Sequence, residues 1–211
     1  MTSREAVLGR IRAALADVPS DETPDDVLVP RDYRRSHVRA DEDTVALFAE
    51  RVADYRATAT RTNMAGLRDA IAVALTMRGT ASLALPDAFP IELLPTGSWE
   101  WHPEPLDIEA LDALDGAITL AAAGIAVTGT IVLDTGAGQG RRALTLIPDY
   151  HLCVVRAEQI AADVPDALAR LDPARPLTFI SGPSATSDIE LDRVEGVHGP
   201  RTLDVIIVET S

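Results

Sequence analysis

A series of short apolar runs, separated by turns and helical segments, constrains the fold of this 211-residue chain more than any other feature. Such runs read as strands that are buried on both faces, because a half-exposed strand would alternate apolar and polar residues. We predict strands at Ala81–Leu85, Ala117–Leu120, Ile125–Val127, Thr130–Leu133, Ala143–Ile147, Leu152–Val155, Leu177–Ile180 and Leu203–Val208. The fold class is therefore α/β, with three layers: a mixed, mostly parallel sheet with helices on both faces.

Helical spacing predicts four helices, three before the first of these strands and one between two of them. Thr2 and Glu5 have the spacing of a capping box before the first helix, and apolar spacing indicates two more after Asp41 and from Leu67. Ala157–Leu171 is expected to be a connecting helix. We expect residues 1–40 to form an N-terminal helix and extended arm and residues 41–211 to form one α/β domain. The basic cluster in the arm is either a solvated linker or a docking surface for an acidic partner; it comprises Arg31, Arg34, Arg35 and Arg39.

The segment Gly116–Leu133 carries no charged residue and approaches the length of a membrane span. Its glycines, threonines and acidic flanks favour buried strands joined by a turn instead. The first residues, Met1–Leu15, lack the apolar core and cleavage site of a secretory signal. We therefore expect a soluble, cytoplasmic protein without a membrane segment.

Charge and residue usage exclude several functions. A formal net charge of −14 opposes nucleic-acid binding, which depends on a basic surface. The chain contains no lysine, so it cannot form a Schiff base or use a lysine-bearing phosphate loop, and arginine must hold any anion. The single Cys153 cannot hold an iron–sulfur cluster alone and is expected to be buried. No H-x-x-x-H or C-x-x-C motif occurs, so no metal site is expected. No other cofactor is expected either.

The first candidate for chemistry is the segment from Thr128-Gly129-Thr130 to the glycine-rich loop that ends in Arg141 and Arg142. Closely spaced glycines let backbone N–H groups approach an anion, and the two arginines are suited to clamp it. The spacing is not that of a dinucleotide-binding loop, because Arg141 stands where the third glycine would be. A glycine-rich hairpin with exposed arginines explains the pattern equally well.

Two further candidates follow the predicted strand Leu177–Ile180. Gly182, Ser184 and Thr186 offer donors to a phosphate or carboxylate, and Asp188 adds an acid or base group. Near the last strand, His198 lies between Gly196 and Gly199, and Glu195 is its candidate partner. Turn capping by the hydroxyl residues and a structural hydrogen bond from the histidine are the alternatives.

The string from Gly182 to Glu190, followed by Gly196-Val197-His198-Gly199-Pro200, resembles the closing signature of the lactate-utilisation protein C family. The resemblance extends to Thr128-Gly129-Thr130, Arg141-Arg142-Ala143-Leu144, Pro148 and His151, whereas the N-terminal half agrees only in layout. It implies the LUD domain, which is similar to the superfamily of ribose-phosphate isomerases, glucosamine-phosphate deaminases and CoA-transferases. It also implies a role in oxidising L-lactate to pyruvate alongside two sibling proteins that carry iron–sulfur and cysteine-rich segments.

This chain departs from the family pattern at two positions. Val127 stands where many relatives have glutamate, and Ala185 stands where many have arginine. The leading hypothesis is a non-redox subunit or accessory protein of an L-lactate oxidation system. The alternative is a stand-alone enzyme or binding protein for a phosphorylated sugar, a CoA ester or a nucleotide. We expect Gly129, Thr130, Ser184, Thr186, Asp188 and His198 to converge on one pocket, with His198 or Glu195 moving protons.

Overall fold

The structure, a computed structural model, describes residues 2–19, 21–23, 26, 28–30, 32, 37, 42–183, 185–186, 194–195 and 199–210. The chain divides into two compact units, residues 1–34 and 35–211. In the first unit, helix α1 spans Ser3–Ala14 and begins with the predicted capping box. The Thr2 N–H donates to Glu5 Oε2 at 2.7 Å, and the Glu5 N–H donates to Thr2 Oγ1 at 3.3 Å. The basic cluster at Arg31, Arg34, Arg35 and Arg39 lies outside the described residues.

The second unit is built on a six-stranded sheet in which every neighbouring pair is parallel. Its strand order is β1-β12-β7-β4-β2-β3. The strands are β1 (Thr58–Asn63), β2 (Ser82–Leu85), β3 (Glu100–Pro103), β4 (Gly116–Leu120), β7 (Tyr150–Arg156) and β12 (Thr202–Glu209). Six consecutive residues of β7 and six of β12 are buried, as continuous apolar strands require.

A smaller, four-stranded sheet packs on one face of the large sheet and has the order β8-β5-β6-β9. Its strands are β5 (Ala123–Ile125), β6 (Thr130–Leu133), β8 (Ile160–Ala161) and β9 (Thr178–Ile180). Two short strands, β10 (Ala185–Thr186) and β11 (Val194–Glu195), pair antiparallel with each other. The uncharged segment Gly116–Leu133 thus forms strands β4, β5 and β6. Strand β5 begins about two residues earlier than predicted. Among the described residues, no helix is long and apolar enough to span a membrane.

Helices cover both faces of the large sheet, which confirms the predicted fold class. Helix α3 (Leu67–Arg78) buries Leu67, Ile71 and Leu75 against β2, β4, β7 and β12. On the opposite face, α2 (Thr44–Asp54) buries Leu47, Phe48 and Val52 together with residues of β6, β7 and β12. Helix α4 (Ile108–Asp112) covers β2 and β4 on that second face, and α5 (Val164–Leu168) packs on the outer side of the small sheet.

Two predicted elements are wrong. Ala143–Ile147 is not a strand: Arg142–Thr145 forms a 3₁₀ helix, and both edges of the adjacent strand β4 are already paired with β2 and β7. The connecting helix at Ala157–Leu171 is also wrong. That segment contains a 3₁₀ turn at Ala157–Gln159, strand β8 and only the short α5, because Asp163 and the proline after Val164 start a new helix there.

Asp115 ties the amino ends of two neighbouring strands together. Its carboxylate accepts hydrogen bonds from the N–H groups of Ala81 and Ser82, each at 2.8 Å, and from Ser82 Oγ at 2.9 Å. The two backbone hydrogen bonds, helped by the Ser82 hydroxyl, outweigh desolvation and hold the pKa of Asp115 below its usual value. The folded state is therefore stabilised by the ionised form of Asp115.

We expect Asp115→Ala to lower the free energy of unfolding by about 1 kcal/mol at pH 7, because backbone donors lose an ionised acceptor. A group with a lowered folded-state pKa stabilises above its unfolded pKa of about 4, and this contribution is lost as the pH falls through the folded-state pKa. Urea unfolding at pH 7 and at about pH 3 measures this, with Asp112→Ala, an exposed carboxylate at the end of α4, as control. An equal effect of Asp115→Ala at both pH values would contradict the assignment.

Candidate functional site

A cleft lies at the carboxyl ends of the parallel strands, the edge where α/β proteins of this kind bind ligands. Leu120 is the last residue of β4, Arg156 is the last residue of β7, and Val208 is next to the end of β12. The cavity has a volume of about 380 Å³. We call it the carboxyl-edge cleft; it is lined by Met64, Leu67, Pro90, Leu93, Leu120, Ala121, Ala122, Asp134, Gly136, Ala137, Gln139, Val154, Arg156, Gln159, Arg170, Leu171, Arg175 and Val208.

The charged groups of the carboxyl-edge cleft are three arginines and one aspartate. Arg175 Nη1 lies 2.7 Å from Asp134 Oδ2. Arg156 Nε lies 2.9 Å from Glu158 Oε1, a pair in which both side chains are more than half exposed. Arg170 donates to the backbone carbonyl of Glu158 at 3.4 Å. These three arginines belong to no predicted site, because they are scattered over 20 residues and form no motif.

The glycine-rich loop after β6 forms one wall of the cleft. The Asp134 N–H donates to Gln139 Oε1 at 2.6 Å, and the Gly136 N–H donates to Asp134 Oδ1 at 3.0 Å. A Cβ at Gly136 would lie 2.8 Å from Asp134 Oδ1 and 3.2 Å from Arg175 Nη2, so the loop backbone closely approaches both of these side chains. The loop therefore reaches the cleft through Asp134, Gly136 and Gln139.

The two arginines that end this loop are placed elsewhere. Arg141 Nε donates to Glu104 Oε1 at 2.7 Å, and its guanidinium also contacts the carbonyl of Leu106. Arg142 Nη1 donates to the carbonyl of Thr145 at 3.0 Å within the 3₁₀ helix. Neither side chain lines the carboxyl-edge cleft. The predicted anion clamp at Arg141 and Arg142 stays a prediction, and both guanidinium groups already have partners within the chain.

The Thr-Gly-Thr and Ser-Gly-Pro segments meet beside the C-terminal end of α2. Thr130 Oγ1 lies 2.8 Å from Ser181 Oγ and 2.6 Å from Thr128 Oγ1. Gly129 and Gly182 both have positive φ, and a Cβ on either would lie within 2.7 Å of backbone atoms at that end of α2. The structure thus brings Gly129, Thr130 and Gly182 together, and it gives the two glycines a packing role that sequence spacing did not reveal.

The other predicted site residues lie largely outside the described part of the chain. Ser184, Asp188 and His198 are not described, and of Thr186 and Glu195 only the backbone is described. The backbone of β10 pairs with that of β11, with Ala185 opposite Glu195, so the second and third candidate segments run side by side. Gly199 follows in a bend before β12. Whether these residues form one pocket with Thr130 stays a prediction.

His151 is a buried polar residue of strand β7. Its Nε2 lies 2.8 Å from Thr119 Oγ1 on the neighbouring strand β4. Burial, with a smaller effect of the Arg142 charge, lowers the pKa of His151 to about 4, so the ring is neutral near pH 7. Cys153 is also buried, as predicted, and burial raises the pKa of its thiol to about 12. Within the described residues, no group of three His, Cys, Asp or Glu side chains has the geometry to hold a metal ion.

The fold and cleft define an α/β protein with a parallel sheet, a small sheet packed on one face, and a cavity at the carboxyl edge. The LUD domain profile matches residues 100–208, a range that contains most of the cleft-lining residues. The chain belongs to the LUD domain family.

Proteins that are similar to this chain in sequence and in structure support the assignment to the LUD domain family. The chain is 48% identical over 167 residues to the lactate utilization protein C of Deinococcus radiodurans, covering 76% of this chain and 77% of that protein. It is 36% identical over 112 residues to the Halalkalibacterium halodurans protein of the same name, covering 48% and 47% of the two chains. A crystal structure of a DUF162 family protein from Deinococcus radiodurans superposes with a TM-score of 0.67 at 40% identity, covering 78% of this chain and 96% of that one.

Proposed function

We propose that this chain takes part in lactate utilization, as the subunit without redox groups in a multi-protein system that oxidises L-lactate to pyruvate. The observation that carries this proposal is the 48% identity, over three quarters of each chain, to a protein named lactate utilization protein C. The single cysteine of this chain, Cys153, is buried, and burial raises the pKa of its thiol to about 12. One thiol cannot supply the ligands of an iron–sulfur cluster. Sibling iron–sulfur and cysteine-rich proteins would then carry the electrons.

Deletion of the gene in its host is expected to abolish growth on L-lactate as sole carbon source and to leave growth on glucose unchanged. The readout is the growth rate, with the gene restored on a plasmid as control. A pull-down of the tagged chain from lactate-grown cells should recover the iron–sulfur siblings. Unimpaired growth of the deletion strain on lactate, with no second gene copy present, would overturn the proposal.

The carboxyl-edge cleft favours a second candidate function for this chain. It is a stand-alone enzyme or binding protein for a phosphorylated sugar, a CoA ester or a nucleotide. Three arginines around a cavity at the ligand-binding edge of the sheet support it. Recovery of the tagged chain without any sibling, together with normal growth of the deletion strain on lactate, would favour this candidate over the first.

A further inference from the structure

The carboxyl-edge cleft has a charge balance opposite to that of the chain. The whole protein carries a formal net charge of −14, yet the residues that line the cleft include three arginines and only one carboxylate, Asp134. A locally positive cavity in an acidic protein concentrates anions and excludes cations. Arginine is also the cation best suited to hold a carboxylate or phosphate, because its planar fork donates two parallel hydrogen bonds.

The three arginines of the cleft differ in how many of their hydrogen-bond donors are already used by partners within the chain. Arg175 is paired with Asp134, whose side chain is only 11% exposed. Arg156 is paired with Glu158, which does not line the cleft. Arg170 makes a long hydrogen bond to a backbone carbonyl and, within the described residues, is in no ion pair. Arg170 therefore has donors to spare, and Asp134 is the group with which an incoming anion would compete for Arg175.

Most of the other residues that line the cleft are apolar, and the cavity is too large for a small acid. Its walls include the side chains of Leu120, Val154, Leu171 and Val208 from three strands and a loop. A volume of about 380 Å³ lies within the range of cavities that enclose drug-sized molecules. A molecule as small as lactate would leave most of this space to water and would not cover the apolar wall.

We propose that the carboxyl-edge cleft binds an organic anion with an apolar body. Its carboxylate or phosphate group lies on Arg170 and Arg175. Its apolar part packs against Leu120, Val154 and Val208. This inference rests on the cleft alone and does not depend on the proposed role in lactate oxidation. The two proposals are also tested separately, because the binding test uses the purified chain and the growth test uses cells.

Isothermal titration calorimetry with four probes tests the proposal. Octanoate and 1-naphthyl phosphate carry an apolar body on a carboxylate and on a phosphate, whereas L-lactate and inorganic phosphate are matched anions without one. We expect octanoate, 1-naphthyl phosphate or both to bind at least about tenfold more tightly than the corresponding small anion, because buried apolar area adds to the charged contact. The tighter of the two amphiphilic probes identifies the anionic group.

Three variants and one control place the binding in the cleft. Arg170→Gln and Arg175→Gln should each weaken binding at least about tenfold, because each removes charge-assisted hydrogen bonds. Asp134→Asn keeps the acceptor for the Gly136 N–H but removes the competing charge, so it should strengthen binding. The control is Arg51→Gln: like Arg175, Arg51 is 41% exposed and paired with an aspartate, but it lies outside the cleft.

The outcomes separate clearly. Absence of binding by both amphiphilic probes would overturn the proposal, and so would a failure of both amphiphilic probes to bind more tightly than their matched small anions. It would also fail if Arg170→Gln had no effect, if Arg51→Gln weakened binding as much as Arg170→Gln, or if Asp134→Asn weakened it. Arg175→Gln leaves Asp134 without its partner. If this variant fails to fold, Arg170→Gln and Asp134→Asn still test the proposal.

Discussion

Gly129→Ala is expected to destabilise the α/β unit severely. Gly129 has a φ of +57°, a conformation that costs an L-residue about 1–2 kcal/mol. A Cβ there would also lie 2.5 Å from the carbonyl carbon of Arg51 and 2.7 Å from the backbone nitrogen of Val52. Real side chains do not tolerate such distances, so α2 would have to move, and overpacking of this kind costs a further ~1–3 kcal/mol.

The expected total loss is about 2–5 kcal/mol, which corresponds to a fall in Tm of roughly 5–15 °C for a protein of this size. Thermal unfolding followed by circular dichroism measures it. Gly79→Ala is the matched control, because Gly79 has a φ of +65° but no atom within 4 Å of the added Cβ. If Gly129→Ala lowered Tm no more than Gly79→Ala does, the close packing of Gly129 against α2 would be wrong.

The sequence predicted the buried centre of the sheet well and its edges poorly. Strands β4, β7 and β12 consist mainly of apolar residues, and a segment of that kind has few alternatives to a strand buried on both faces. The edge strand β1 reads Thr-Ala-Thr-Arg-Thr-Asn and the other edge strand, β3, reads Glu-Trp-His-Pro. Neither was predicted, because strands at the edges are specified by pairing with their neighbours rather than by their own hydrophobicity.

The failure at Ala157–Leu171 has a different physical cause. The segment has helical composition, yet Ile160 and Ala161 pair in parallel with Gly124 and Ile125 of β5. This pairing is long-range and leaves no signal in the local pattern. Asp163 then accepts a hydrogen bond from the Val164 N–H at 2.7 Å and starts a separate, shorter helix. Tertiary pairing overrides local propensity here.

At the candidate site, too, the local sequence pattern does not reveal residues that are brought together only by the fold. Motif reasoning found the loop after β6 and the Thr-Gly-Thr segment, because glycines and hydroxyl residues cluster visibly along the chain. It did not find Arg156, Arg170 and Arg175, which are brought to one cleft by the end of β7 and by the loop after α5. Their meeting depends on the three-dimensional arrangement of β7 and of the segment that returns over the small sheet.

An ion pair between the buried Asp204 and the partly exposed Arg78, near the amino end of β12, gives the second large effect. The Asp204 carboxylate, on a residue that is only 5% exposed, accepts hydrogen bonds from Arg78 Nη2 at 2.6 Å and from Arg78 Nε at 3.0 Å. It also accepts one from the Tyr150 hydroxyl at 3.0 Å. Burial, with a contribution from the Asp204 charge, raises the pKa of Tyr150, so this hydroxyl remains protonated and donates.

We expect Asp204→Ala to lower the free energy of unfolding by about 2–4 kcal/mol, because it leaves the buried Tyr150 hydroxyl and the Arg78 guanidinium without their acceptor. Arg78 is 38% exposed and can turn partly to water, which places the effect below that of a fully buried pair. Urea unfolding should show Tyr150→Phe losing only about 1 kcal/mol, since one hydrogen bond is removed. Asp149→Ala, which breaks the exposed pair with Arg201, should stay near wild type. If Asp204→Ala behaved like Asp149→Ala, the Asp204 carboxylate would be solvated, and the bidentate contact with Arg78 would not contribute to the stability of the fold.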